Sequence, residues 1–133
     1  NMQENIEGLK YICLKLDLAE WLDTIKADGN LNNAQDLIRT GIILALKCDE
    51  SVVQNKQDEV ISRKEGDRNY NTGDIDLDGY ITLLMKMFGG DLASQSKYRM
   101  QALANLGIEM IRDNFYDEVI QWDKIENEIK KKL

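Results

Sequence analysis

The side chains whose spacing could do chemistry here are carboxylates. Asp74, Asp76 and Asp78 alternate ahead of Gly79 in the run Asp74-Ile75-Asp76-Leu77-Asp78-Gly79-Tyr80-Ile81. Alternating oxygen donors followed by glycine suit a hard cation such as calcium, whose shell is built from oxygens and around which the chain must turn sharply. Glu20 and Asp23 form an ExxD, Glu4 and Glu7 an ExxE, and Asp74 and Asp78 an i, i+4 pair. On helices those spacings place two carboxylates on one face, where magnesium can bridge phosphates and activate water. Arg63, Lys64 and Arg68 stand just before Asp74 and could help hold a phosphate. The chain has no histidine. That removes Ser-His-Asp and Cys-His arrangements, His-ligated metals and the commonest acid/base group near neutral pH. Cys13 and Cys48 lie among apolar neighbours without CxxC spacing and are expected to be reduced core thiols.

The Asp74 run resembles the first half of an EF-hand or dockerin calcium loop. The resemblance implies calcium ligation by Asp74, Asp76 and Asp78, with Gly79 in the turn and Ile81 at the apolar position. It covers about a dozen residues, and its closing ligand position is Met85, with Thr82 at the ninth. The preferred reading is different: Leu77, Ile81, Leu84 and Phe88 follow a helical period, so the acids mark a helix start, where they cap free N–H groups and meet a favourable dipole. The ExxD and i, i+4 pairs are loosely similar to the magnesium sites of all-α nucleotide pyrophosphohydrolases of the MazG and dimeric dUTPase type. That resemblance would make Glu20, Asp23, Asp74 and Asp78 metal ligands, although the family's fixed order of motifs on neighbouring helices is not reproduced.

The elements that would position these residues are helical. Pro is absent, and Gly29, Gly66, Gly73 and the pair Gly89-Gly90 sit at punctuation points. The periodicity predicts about six helices in a single compact all-α bundle spanning 1–133. Ile6, Leu9, Cys13 and Leu16 fit a first helix, although Ile12, Leu14, Leu16 and Leu18 also alternate as a strand would. Asp17 is expected to cap a second helix carrying Leu18, Trp21, Leu22 and Ile25. A third, from Asn33 to about Cys48, is the most apolar and is expected at the bundle centre. Residues 50–65 read as an outer helix and 62–73 as a loop. A fifth helix follows from Leu77 to Phe88, stopped by Gly89-Gly90. Asp91 caps the next, and a last helix runs from Phe115 through Val119, Trp122, Ile125 and Ile129 to Lys130-Lys131-Lys132.

Composition bounds the rest. In 133 residues, 43% hydrophobic content supplies one core and 31% charged content its exterior. The net charge of −7 argues against direct nucleic-acid binding and for a basic protein partner. No window approaches the roughly 18 apolar residues of a membrane span, and the start lacks the basic flank and apolar run of a signal peptide. A cytoplasmic location without membrane association is expected. With no cofactor required, and magnesium or calcium the only metals the carboxylates suggest, the expected activity is protein–protein binding of the immunity-protein, antitoxin or phage-inhibitor type. Asn, Lys and Ile richness is typical of AT-rich bacterial or phage genes. Narrow apolar helix faces also leave room for a homodimer.

Overall fold

A computed structural model describes residues 10–29, 31–62, 64–94 and 97–131, and beyond the backbone the side chains of 89–94, 97 and 131 are not described. Among the described residues seven α-helices and two short antiparallel strand pairs make a mostly all-α fold. Glu4, Glu7, Arg63 and Lys132 lie outside the described residues.

Ile6 and Leu9 of the expected first helix lie outside the described residues, and its described part is instead a strand, β1 (Tyr11–Leu14), paired antiparallel with β2 (Arg68–Asn71) in the register Ile12↔Tyr70 and Leu14↔Arg68. The alternation of Ile12 and Leu14 is the local signal. What decides it is non-local, because β2 comes from the segment expected to be a loop. α1 (Leu16–Ala27) follows at once, with Leu18, Ala19, Leu22 and Ile25 on its buried stripe. Its cap is not Asp17. Lys15 holds the N-cap position without a side-chain bond, and Asp17 sits in the first turn, paired with Arg112 at 2.8 Å. The Leu16 N–H donates instead to Asp67 at 3.1 Å.

α2 (Ala34–Ala45) falls within the expected third helix and buries Leu37, Ile38, Gly41, Ile42 and Ala45 along one stripe. Asn33 caps it by accepting from the Asp36 N–H at 3.0 Å. α3 (Glu50–Val60) packs Val53 and Val60 inward. The short α4 (Thr72–Ile75) and a 3-10 turn (Leu77–Gly79) lead into α5 (Tyr80–Ser94). α5 runs through Gly89-Gly90 rather than stopping there, because glycine permits a left-handed cap without imposing one. α6 (Lys97–Asp113) then leads to a hairpin of β3 (Phe115–Tyr116) and β4 (Val119–Ile120), and α7 (Trp122–Lys131) closes the chain. The expected last helix therefore begins at Trp122 rather than Phe115.

The centre of the bundle is α6, not α2. Every residue from Arg99 to Ile108 is buried, including Arg99, Gln101 and Asn105. α2 crosses it closely where Gly41 meets Gly107: a Cβ on Gly107 would lie 1.9 Å from the Gly41 carbonyl oxygen. Two glycines let the backbones touch.

The buried amides of α6 complete β1. In an antiparallel pair alternate residues turn their backbone groups away from the partner strand. On that outer edge the Cys13 N–H donates to Gln101 Oε1 at 2.7 Å and the Lys15 N–H to Asn105 Oδ1 at 2.9 Å. Asn105 Nδ2 donates to the Cys13 carbonyl at 2.9 Å, and Gln101 Nε2 to the Val60 carbonyl at 2.9 Å. Two side chains one helical turn apart thus take the place of a third strand. No described helix is long and apolar enough to cross a membrane.

Candidate functional site

The acidic run is divided between two local tasks. Asp76 accepts from the Ile81 N–H at 2.7 Å and from the Thr82 hydroxyl, so its carboxylate satisfies the exposed N–H groups at the start of α5. Asp78 has φ 61° and Gly79 φ 74°, left-handed conformations that break the chain between the turn and the helix. Asp74 is exposed on α4, and its carbonyl accepts from Arg39 Nη1 at 2.9 Å. The break separates Leu77 from the rest of the expected stripe. Ile81 and Met85 face the core, while Leu77 and Phe88 are exposed.

Glu20 and Asp23 lie exposed on α1. Asp23 is paired with Arg68 of β2, and that pairing holds the guanidinium pKa above its ordinary value. Tyr70 lies beside them; burial pushes its phenol up, and Arg68 offsets part of the effect. Lys64 contributes its backbone rather than its charge, donating its N–H to Asp67 at 2.9 Å. Among the described residues no three His, Cys, Asp or Glu side chains gather closely enough to hold a metal ion. Cys13 and Cys48 are both buried.

Asp67, which belongs to no motif in the sequence, is the most enclosed carboxylate of this region. Burial alone would raise its pKa, yet the Lys64 N–H, the Lys15 ammonium at 3.2 Å and the Leu16 N–H together hold it below its ordinary value. Its work is structural: it ties the loop before β2 to the start of α1.

The surface features with no internal task are apolar. In the β3–β4 hairpin Tyr116 and Val119 are more than half exposed, and Trp122, the first residue of α7, is nearly so. The two tip residues, Asp117 and Glu118, have φ 52° and 62°. This two-residue loop with both residues left-handed is the type I′ geometry that normally takes Asn-Gly. A Glu in that conformation is strained by about 1–2 kcal/mol. Tyr116 is held in place: its hydroxyl donates to the Asp113 carbonyl at 3.1 Å, and Lys124 Nζ lies 4.9 Å from its ring centre. Exposed Asp113, Asp117, Glu118, Asp123 and Glu126 flank these side chains in sequence.

The hairpin is anchored from below. Phe115 meets Trp21 of α1 edge-on, ring centres 5.7 Å apart. Asn114 Nδ2 donates to Glu128 at 3.0 Å, and the Gln121 N–H donates to the Asn114 carbonyl at 2.7 Å. The helical period places Trp122 on the core face of a long helix; the core contacts of α7 are made by Ile125 and Ile129 instead. A helical period of apolar residues spans the hairpin by coincidence, while the left-handed tip and the β3–β4 pairing make it a hairpin. Comparison with protein-family models, with curated proteins and with solved structures finds no match to this chain.

Proposed function

We propose that this chain works by binding another protein, in the manner of an immunity protein, an antitoxin or a phage-encoded inhibitor, and that it does so through the β3–β4 hairpin and the start of α7. The observation that carries the reading is the strained, acid-tipped loop presenting exposed Tyr116, Val119 and Trp122. Backbone strain persists where the surrounding structure enforces it, and it gathers at sites that act. Tyr and Trp are the side chains that most often dominate binding energy, and a Tyr already held by a hydrogen bond and a cation loses little freedom on docking. The flanking carboxylates select a basic surface with an apolar recess and speed encounter with it.

The test is capture from cells of the source organism with the wild-type chain and with Tyr116→Ala, Trp122→Ala and the Asp117→Lys, Glu118→Lys double variant. A basic protein retained by the wild type, lost with each variant and weakened at high salt supports the proposal. A partner retained equally by all of them removes the hairpin from the interface.

A further inference from the structure

A second apolar surface lies on α5. Tyr80, Leu83, Met87 and Phe88, with Leu77 in the turn before them, are each between 50% and 68% exposed. At i, i+3 and i+7 Tyr80, Leu83 and Met87 share one face; Phe88 stands at its edge, next to the adjoining face on which Ile81 and Met85 pack into the core. α5 is therefore apolar over most of its circumference and buried on only part of it. From Tyr80 to Phe88 no ionisable side chain other than the Tyr80 phenol falls within the exposed stripe, since Lys86 borders it on the far side of Leu83.

We propose that this face joins two copies of the chain in a twofold-symmetric dimer. At about 150–200 Å² per large side chain, the five residues leave roughly 450–600 Å² uncovered, the upper range for a monomer's largest patch. Two such faces together bury about 900–1,200 Å², which reaches the lower end of specific interfaces and implies a reversible, concentration-dependent dimer. The stripe is also self-complementary. With α5 antiparallel to its copy and the axis between Leu83 and Leu84, Tyr80 meets Met87 of the second copy and the leucines meet each other. Sulfur against an aromatic ring is a favourable contact. The surrounding surface is set against self-association by a net charge of −7 per chain. Between Tyr80 and Phe88 the stripe is uncharged, so over that length two such molecules can meet without confronting acids.

Salt separates this proposal from the hairpin reading, on which it does not depend. Screening should strengthen contact between two acidic chains and weaken contact between an acidic hairpin and a basic partner. Sedimentation equilibrium of the full chain, from micromolar to hundreds of micromolar, should show the mass rising from 15.3 kDa toward twice that value, more readily in 0.5 M salt. Leu83→Asp should weaken association by roughly 100-fold or more, because the substitution is repeated across the axis and sets like charges together. Its far-ultraviolet circular dichroism should match the wild type, since the position is exposed. Leu83→Cys should form a disulfide-linked dimer on mild oxidation, while the wild type, with both thiols buried, should not. Trp122→Ala should leave the mass distribution unchanged. A monomer at every concentration and salt overturns the proposal, as does a dimer indifferent to Leu83→Asp. A Leu83→Cys chain that oxidises without cross-linking does so too.

Discussion

Gly107→Ala is the most severe small change this fold offers. The new Cβ would stand 1.9 Å from the Gly41 oxygen, 2.1 Å from its carbonyl carbon and 2.4 Å from its Cα. An ordinary carbon–oxygen contact is about 3.4 Å or more, so α2 and α6 would have to part by over an ångström along a crossing where both are buried. No flexible side chain can yield, because every atom met is backbone. Alanine returns about 0.5–1 kcal/mol as the better helix former. Against that, overpacking costs about 1–3 kcal/mol where side chains can shift and more where they cannot. A net loss of about 3 kcal/mol or more follows, a large part of the roughly 5–15 kcal/mol typical of a domain. Gly41→Ala is the internal control. Its Cβ would lie 3.1 Å from the nearest atoms, tight but within reach of a small adjustment, so propensity and crowding nearly cancel and the change should stay within about 1 kcal/mol. Urea unfolding followed by circular dichroism measures both. A Gly107→Ala chain within about 1 kcal/mol of the wild type would refute the packing argument, and equal losses at the two positions would refute its asymmetry.

Replacing Asn105 by Leu leaves the Lys15 N–H and one bond of the Cys13 carbonyl unmet, and should cost about 2–4 kcal/mol at roughly 1–3 kcal/mol per buried polar group; a loss below about 1 kcal/mol in the same urea assay would mean that β1 finds other partners. Because the Asp67 pKa is lowered in the folded chain, its carboxylate adds stability that is fully present above the unfolded value near 3.8 and is lost as pH falls through the folded value. Unfolding free energy measured from neutral pH downward should therefore fall below about pH 4, and Asp67→Asn should be less stable at neutral pH with a shallower acid limb; parallel curves would count against the assignment. Changing Asp117-Glu118 to Asn-Gly relieves the left-handed strain and should raise stability by about 1–2 kcal/mol while weakening capture of a basic partner. A melting temperature unchanged by that double substitution would argue that the tip is unstrained.

Helices with a one-sided apolar stripe are legible in the sequence. α2 carries its apolar run from Leu37 to Ala45 in plain view, and the structure keeps it as the buried stripe of a helix. The central place of α6 is harder to read because its burial is not written as hydrophobicity: Gln101 and Asn105 are buried by what they bind, and a sequence does not name a partner 88 residues away. β1 is hidden for the same reason, since four residues carry too little period to outweigh helical neighbours and their partners are β2 and α6. The acidic helix start at Asp74 to Asp78 is legible as a cap, and Asp76 performs it, but the left-handed Asp78 that separates Leu77 from the stripe of α5 is not. Of the candidate surface, Val119 and Trp122 stand out in the sequence yet read as core, because a stripe looks alike whether its apolar residues face inward or out.

The amide pair Gln101 and Asn105 bears on the order in which the chain acquires structure. Until α6 exists as a helix, those two side chains are not aligned one turn apart, and β1 is a short ribbon with one open edge. Two-stranded ribbons of this length are unstable in water on their own. β1 and β2 should therefore zip only after α6 has formed against α2, joining residues far apart in sequence as a late step whose rate is set by long-range closure. Once the amides engage, the outward backbone groups of Cys13 and the Lys15 N–H are occupied, and that part of β1 no longer offers an edge to a neighbouring chain.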